Sequence, residues 1–244
     1  MNRKLSVSVC LASYNGEQYI KEQILSIINQ FQEGDELIVS DDGSKDKTCA
    51  IVQEMSLQYP MIQLVPGPKM GFSCNFGNAA KYAKNDIVMY SDQDDVWDPE
   101  KLNKICSCFE RDPACTTILH PMKTFDENIE VDTNQFPIVY HSGVLRNFIK
   151  SCYWGCCIAV RRDFLQKFLP FRDHCVGHDQ LTGLMSEKYG KVAFLNEKLI
   201  CHRVHGDNTS LHRKTPVEMV RFRVSLYGDF QYAQKRFKTN MEGK

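Results

Sequence analysis

A chain of 244 residues with 30 Lys plus Arg against 30 Asp plus Glu has a formal net charge of zero, unlike a wholly basic nucleic-acid binder. With 43% hydrophobic and 11% aromatic residues it is also unlike a disordered acidic chain, and it is long enough for a substantial core. No stretch approaches the roughly 18 apolar residues of a membrane-spanning helix, and the first residues lack the apolar centre of a signal peptide.

In chain order, Val7 to Ala12 reads as a buried strand that ends in turn chemistry at Ser13-Tyr14-Asn15-Gly16. Ile20, Ile24, Ile27, Ile28 and Phe31 follow at helical spacing. Leu37 to Ser40 predicts a second strand, stopped by Asp41-Asp42-Gly43-Ser44, and a helix then runs through Val52, Met55 and Tyr59 to Pro60. Ile62 to Val65 is a third strand, closed by Pro66-Gly67-Pro68. Gly71 to Lys84 is helical by the spacing of Phe72, Phe76, Ala79, Ala80 and Ala83. Ile87 to Tyr90 is a fourth strand running into Ser91-Asp92-Gln93-Asp94-Asp95. Asp98 suits an N-cap and Pro99 the first position of a helix with Leu102, Ile105, Cys106 and Phe109 on its apolar stripe. Residues 121–150 read as a long excursion of low periodicity. Tyr153 to Arg161 is strand-like, Arg162 to Leu169 a short helix, and Gly177-His178-Asp179 opens a helix carrying Leu181, Leu184, Met185 and Tyr189. Val192 to Leu195 and Leu199 to Val204 are short strands, and Pro216 starts a long helix with a basic end at Lys235, Arg236 and Lys238. No repeat or linker divides the chain, so the expectation is one domain over residues 1–244.

Alternating strands and helices imply an α/β fold with a mostly parallel sheet covered on both faces. Ligands of such sheets sit at the carboxyl ends of the strands, where the polar clusters at 13–15, 41–42 and 92–95 all fall. Asp92-x-Asp94-Asp95 sets three carboxylates within four residues. Their repulsion in a partly buried site is relieved by a divalent cation, and oxygen ligands favour Mg²⁺ or Mn²⁺. The bland alternative is a solvated acidic turn. An Asp in Asp41-Asp42 can accept a hydrogen bond from a pyrimidine N–H or serve an Asx turn in which Gly43 supplies a positive φ, and both can hold at once, one carboxylate capping and the other binding. No P-loop, dinucleotide fingerprint or nucleophile elbow is present, which weakens ATPase, dehydrogenase and hydrolase readings.

The 11 cysteines are scattered and often lie in apolar runs, as expected of a reduced, cytoplasmic protein. Neither Cys106/Cys108 nor Cys152/Cys156/Cys157 has paired zinc-knuckle spacing, and the histidines, His202 and His205 included, form no recognised zinc pattern. Trp97 reads as structural, while Trp154 reads equally as a sugar platform or a core aromatic. The zero net charge is a cancellation. Residues 1–130 carry 12 basic and 20 acidic residues, and residues 131–244 carry 18 and 10.

Four strings then stand in order: Ala12-Ser-Tyr-Asn-Gly-Glu17, Ser40-Asp-Asp-Gly-Ser44, Gly71-Phe-Ser-x-Asn-Phe76 and Ser91-Asp-Gln-Asp-Asp-Val-Trp97. Together they resemble glycosyltransferase family 2, above all its bacterial rhamnosyltransferase-like branch. The likeness covers about residues 5–112 and resumes at Trp154-Gly155, His178-Asp179 and Arg203-x-His205-Gly-x-Asn208. The resemblance implies a GT-A fold and inverting transfer from a nucleoside-diphosphate sugar, with residues 1–120 binding the donor and 121–244 facing the acceptor. It places Tyr14 and Asn15 by the nucleoside, Asp41 on the base, Asn75 near the nucleoside or sugar and Asp92 near the ribose or metal. Asp94 then binds a Mn²⁺ or Mg²⁺ ion that bridges the phosphates, His205 lies near that ion, and Asp179 is the catalytic base. His178 stands where many members carry an acidic residue.

Arg203 is a candidate for a phosphate contact. The expected acceptor is a glycan or lipid-linked hydroxyl, in bacterial-type surface polysaccharide synthesis. The basic C-terminal segment (Arg213, Lys214, Arg221, Arg223, Lys235, Arg236, Lys238) would rest on an anionic membrane surface from the cytoplasmic side. Two other readings share much of this chemistry. A sugar nucleotidyltransferase would need a Gly-rich basic loop after the first strand, which Ser13-Tyr14-Asn15-Gly16 lacks. A non-catalytic sugar- or nucleotide-binding homologue would have no use for an intact Asp92, Asp94, Asp95 and Asp179.

Overall fold

The computed structural model describes residues 3–126, 131–206 and 215–242. Its first half is β1 (Val7–Ser13), α1 (Ile20–Ile28), β2 (Glu36–Asp41), α2 (Thr48–Gln58), β3 (Ile62–Pro66), α3 (Phe72–Tyr82), β4 (Ile87–Ser91), β5 (Val96–Trp97) and α4 (Lys101–Arg111). Then follow β6 (Thr117–Leu119), β7 (Lys123–Phe125), α5 (Val144–Ile149), β8 (Ile158–Arg161), α6 (Arg162–Leu165), α7 (His178–Tyr189), β9 (Val192–Phe194), β10 (Ile200–Arg203) and α8 (Pro216–Glu242).

The main sheet has the order β3-β2-β1-β4-β8-β6-β9. Its first four strands are mutually parallel, and β8 alone runs against its neighbours β4 and β6. Buried on both faces, these strands are near-continuous apolar runs such as Leu37-Ile-Val39. Register sets the strand ends level: Ser13 lies opposite Asp41, Asp41 opposite Pro66, and Leu11 opposite Ser91. The polar clusters foreseen along the sequence therefore share one edge. A second sheet, β5-β10-β7, pairs Cys201 with Val96 and Arg203 with Phe125. It brings the 200–205 segment against the acidic loop after β4.

The helices cover the sheet with their apolar stripes. α1 buries Ile20, Ile24, Ile27 and Ile28, and α4 buries Leu102, Ile105, Cys106 and Phe109. Each such side chain contributes about 1.5–3 kcal/mol on leaving water. Both halves of the chain feed one apolar core. The eleven cysteines are free thiols, none of them exposed, in keeping with their use as small apolar residues. No helix among the described residues is long and apolar enough to cross a membrane.

Several boundaries differ from the sequence expectation. α4 begins at Lys101 rather than Pro99, because Val96 and Trp97 are held in β5 and the chain must first turn. Asp98 makes that turn, its side chain accepting the Glu100 N–H at 3.0 Å and its carbonyl the Lys101 N–H at 3.0 Å. The 121–150 excursion contains β7 and α5. The strand expected from Tyr153 begins only at Ile158, after a 3-10 turn at Gly155–Cys157.

Candidate active site

The loops after β1 and β2 are knitted to each other. Asp41 Oδ1 accepts the N–H groups of Gly43 at 3.0 Å and Ser44 at 2.8 Å, while Oδ2 accepts the hydroxyls of Ser13 at 2.9 Å and Ser44 at 2.5 Å. Gly43 has a φ of +98°, so the Asx-turn reading of this cluster holds. Burial pushes the Asp41 carboxyl up, but the bonds from Ser44, Cys49 and Ser13 outweigh it and hold the pKa below its usual value. Asp42 accepts the N–H groups of Lys69 at 2.6 Å and Gly71 at 3.0 Å and so fixes the loop after β3. Tyr14 is exposed, and its backbone N–H and carbonyl are gripped by the Gln93 amide at 2.9 and 3.0 Å. Asn15, at φ 48°, accepts the Lys45 N–H at 2.9 Å.

Asn75, on α3, is buried and donates to the carbonyls of Ser40 at 2.7 Å and Ser13 at 3.3 Å, while its Oδ1 has no partner. That oxygen faces Gly67, where an added Cβ would sit 2.6 Å from Asn75 Oδ1 and 2.7 Å from the Asp41 carbonyl oxygen. The second contact is backbone and has no room to yield. Gly67→Ala is therefore expected to destabilise the fold by about 1–3 kcal/mol and to displace the Asp41 turn. Urea unfolding of the variant checks this, and an unchanged midpoint would contradict it.

The acidic loop after β4 meets β10. Asp94 Oδ2 lies 2.9 Å from His205 Nε2, and Asp95 Oδ1 lies 2.7 Å from His202 Nδ1. Ligand-capable atoms of Asp92, Asp95, Cys156 and His202 all lie within 4.8 Å of one another. Cys156 and His202 were set aside in the sequence because no local spacing joins them, yet pairing of β10 with β5 brings His202 onto Asp95. Burial, then Asp95 and Asp94, push the Asp92 carboxyl up to about 8. Burial and Asp95 also raise Asp94, against the His205 hydrogen bond. Like charges held this close favour the protonated form, and the His202 imidazole offsets this only in part. Asp95 Oδ2 and His202 Nε2 are buried without partners.

Burial by itself lowers the pKa of His202, but Asp95, with Asp92 and Asp94 behind it, raises it to about 10. That lies above the ordinary value of 6.5. The stabilisation is thus full below pH about 6.5 and is lost as the pH climbs toward about 10. The metal-free protein is expected to lose stability from pH 7 to pH 10 more steeply than His202→Gln, as read from urea midpoints. Parallel curves would contradict it.

Three further side chains hold this loop, and sequence reasoning missed two of them entirely. The Gln23 amide lies among the Ser91 hydroxyl, the Asp95 carbonyl and the Trp97 indole N–H, and with its nitrogen toward Asp95 it satisfies all three. Lys101 is buried, its ammonium donating to the Cys156 carbonyl at 2.8 Å and lying 3.9 Å from the Trp97 ring centroid. Arg203, a candidate for a phosphate contact, lies between the rings of Tyr19 and Phe125. It donates to the Asp94 carbonyl at 3.1 Å and to Glu22 at 2.6 Å. His205 stacks on the same Tyr19 ring at 5.1 Å. Arg203 thus braces the Asp94–His205 pair. Trp97 is buried, as expected, and Trp154 packs on Phe136 and His202.

Asp179 lies in the first turn of α7, with Oδ1 accepting the Gln180 N–H at 2.7 Å. It is close enough to Asp92 to help raise that carboxyl. His178 beside it is buried, stacked on Phe76 at 4.1 Å and edge-on to Tyr90 at 5.1 Å. Burial holds its pKa down at about 3, so the ring is neutral, and neither ring nitrogen has a hydrogen-bond partner. Gly155 is what makes room for it: a Cβ there would meet His178 Nε2 at 2.5 Å. Asn208, Arg213 and Lys214 lie outside the described residues.

Comparison with known proteins places the family and the fold. Residues 8–169 match the sequence model of the family described as Glycosyl transferase family 2. The dTDP-rhamnosyl transferase RfbG of Shigella flexneri is 36% identical over 170 residues, covering 66% of this chain and 57% of the relative. An uncharacterized glycosyltransferase of Nostoc is 26% identical over 227 residues, covering 85% of this chain and 67% of the relative. The chain thus spans only part of the length of these relatives. Among solved structures, S. aureus TarS 1-349 in complex with UDP-GlcNAc superposes with a TM-score of 0.70 at 18% identity, over 97% of this chain and 71% of that one. The mannosyltransferase PcManGT of Pyrobaculum calidifontis, in complex with GDP-Man and Mn²⁺, gives 0.65 at 16%, over 100% and 77%. The fold is that of the GT-A glycosyltransferases, and the chain belongs to glycosyltransferase family 2.

Proposed function

We propose that this chain is an inverting, cation-dependent glycosyltransferase that moves a sugar from a nucleoside-diphosphate donor to a hydroxyl of a glycan or lipid-linked acceptor. One observation carries the reading. A single sheet edge gathers the Asp41 turn, the Asp92 to Asp95 loop with His205, and Asp179 within electrostatic reach of Asp92. The Shigella relative, named for dTDP-rhamnose, supports rhamnose as the sugar and surface polysaccharide synthesis as the setting. Free thiols throughout suit the reducing cytoplasm, where the enzyme would work.

The residues fit a Mn²⁺ or Mg²⁺ ion, since Asp92 and Asp94 keep raised pKa values even beside His202 and Asp94 with His205 offers an oxygen and an imidazole ligand. When bound, the cation neutralises charge on the departing diphosphate. The protein then does the rest. The Asp41 turn and Asn75 shape the nucleoside pocket with Tyr14 and Asn15, and Asp92 faces the ribose. Asp179 takes the acceptor hydroxyl proton as that oxygen bonds to the anomeric carbon on the face opposite the diphosphate, whose C–O bond breaks, and this gives inversion. Neutral His178 behind it adds no positive charge to depress the basicity of that carboxylate.

Incubation with dTDP-rhamnose and Mn²⁺, set against uridine-diphosphate hexoses, tests the reading. Release of nucleoside diphosphate supports transfer. Release of pyrophosphate from a sugar phosphate and a nucleoside triphosphate would instead show nucleotidyl transfer. Mn²⁺-dependent donor binding without turnover would show a binding homologue.

A further inference from the structure

The second half of α8 is anchored to the body. Leu226, Phe230, Ala233 and Phe237 are buried, and Asp229 accepts from Arg172 at 2.7 Å and from the Val176 N–H at 3.1 Å. The face of α8 turned away from this anchor is apolar along its first three turns. Val217, Val220, Val224 and Tyr227 are 56–68% exposed. At 100° per residue they fall within an arc of about 80°, opposite the buried side chains. A soluble helix would place polar residues there. The same arc continues through Lys235 and Lys238, Arg221 borders it, and from Val217 to Lys238 no acidic residue falls on it.

α5 extends this surface. Leu145 and Ile149 are 74% and 66% exposed, and Arg146 and Lys150 beside them are exposed cations. The two helices are joined, since Arg223 donates to the Ile149 carbonyl at 2.8 Å and the Phe148 and Tyr227 rings lie 6.4 Å apart. Apolar side chains with a tyrosine, bordered by Arg221, Lys235 and Lys238 with a single acid, Glu242, on the arc in the last turn of α8, match the interface of a bilayer bearing anionic headgroups. A protein partner would leave five cations along this surface to be matched by its own carboxylates.

We infer that the outer faces of α5 and of the first half of α8 form a membrane-docking surface for anionic lipid. The sequence placed this contact in the basic C-terminal segment as a whole, but two of its arginines point elsewhere. Arg223 is engaged with Gln180 and Ile149, and Arg236 donates to the Leu169 carbonyl at 2.9 Å. The surface adjoins the proposed base. Arg223 reaches Gln180, next to Asp179, and Phe222 lies 3.4 Å from the position of a Cβ on Gly177. Docking would set Asp179 at the headgroup layer, where a lipid-linked acceptor presents its hydroxyl. That last step rests on the transferase reading, whereas docking itself does not.

Flotation with phosphatidylglycerol-containing vesicles, against pure phosphatidylcholine, tests docking without any turnover. The full protein is expected to float with the anionic vesicles only. Val220→Asp with Val224→Asp should weaken that binding by about tenfold or more, and Lys235→Glu with Lys238→Glu should weaken it less. Because all four positions are on the outer face, urea midpoints should stay unchanged, and so should transfer to a water-soluble acceptor. Failure of the wild-type protein to float, or undiminished flotation of the valine variant, would overturn docking. So would a dimer in sedimentation velocity that the same variant abolishes, since the stripe would then belong to a second copy.

Discussion

Asp179→Asn is expected to lower transfer by about 10²–10⁴-fold while leaving donor affinity within error of wild type. The substitution keeps size and shape, and the amide oxygen can still accept the Gln180 N–H that fixes the side chain at the start of α7. It removes only the capacity to take a proton. In the proposed function the nucleoside is held at the ends of β1 and β2 and by α3, so the loss should fall on transfer and not on donor binding. The matching measurement is single-turnover transfer beside a donor-binding isotherm. Turnover near wild type would sink the assignment of the base. Weak donor binding would instead place Asp179 on the donor.

Asp94→Asn should act in two opposite directions. It removes one of the mutually repelling carboxylates, so Asp92 loses a neighbour that helps hold its carboxyl up near 8, and the metal-free protein should be slightly more stable than wild type at neutral pH. The asparagine remains beside His205 but offers no charge to a cation. Mn²⁺ affinity should drop by at least the about 10–100-fold that follows loss of an outer-shell partner, and transfer should fall with it. Thermal unfolding with and without Mn²⁺ reads both effects at once: a higher midpoint without the ion and a smaller rise with it. A variant that keeps the full Mn²⁺-induced rise would remove Asp94 from the cation site.

The fold of the first half was open to reading because each strand there is a compact apolar run and each ends in residues that cannot continue it, such as Asp41-Asp42-Gly43. Parallel register did the remainder, setting Ser13, Asp41 and the Asp92 loop on one edge. The resemblance singled out Asp94 and His205 separately, and the two side chains lie 2.9 Å apart. What escaped was everything that depends on distant pairing. β5 is two residues long and exists only because β10 pairs with it. His202 reaches Asp95 through that pairing, and Cys156 reaches the cluster from the turn before β8. Gln23 sits on the buried face of α1, where a glutamine gives no sign in the sequence that it braces a loop some seventy residues away. For Arg203 the charge was legible in the sequence, but the two rings that flank it and its bond to Glu22 were not.

The β5-β10-β7 sheet bears on how the chain can be divided. A cut near residue 120 looks natural, since a donor-binding half would precede it and an acceptor half follow. Such a cut would strip β5 of its partner, leave Asp95 facing no imidazole and strand the Lys101 ammonium without the Cys156 carbonyl. It would also bare the edge of β4, which in the intact chain is closed by β8. Residues 1–120 are thus not a portable cassette. Exchanging residues 1–120 between relatives to change the donor would have to carry β8 and β10 along, so the unit that can be swapped is defined by strand pairing and not by position in the sequence.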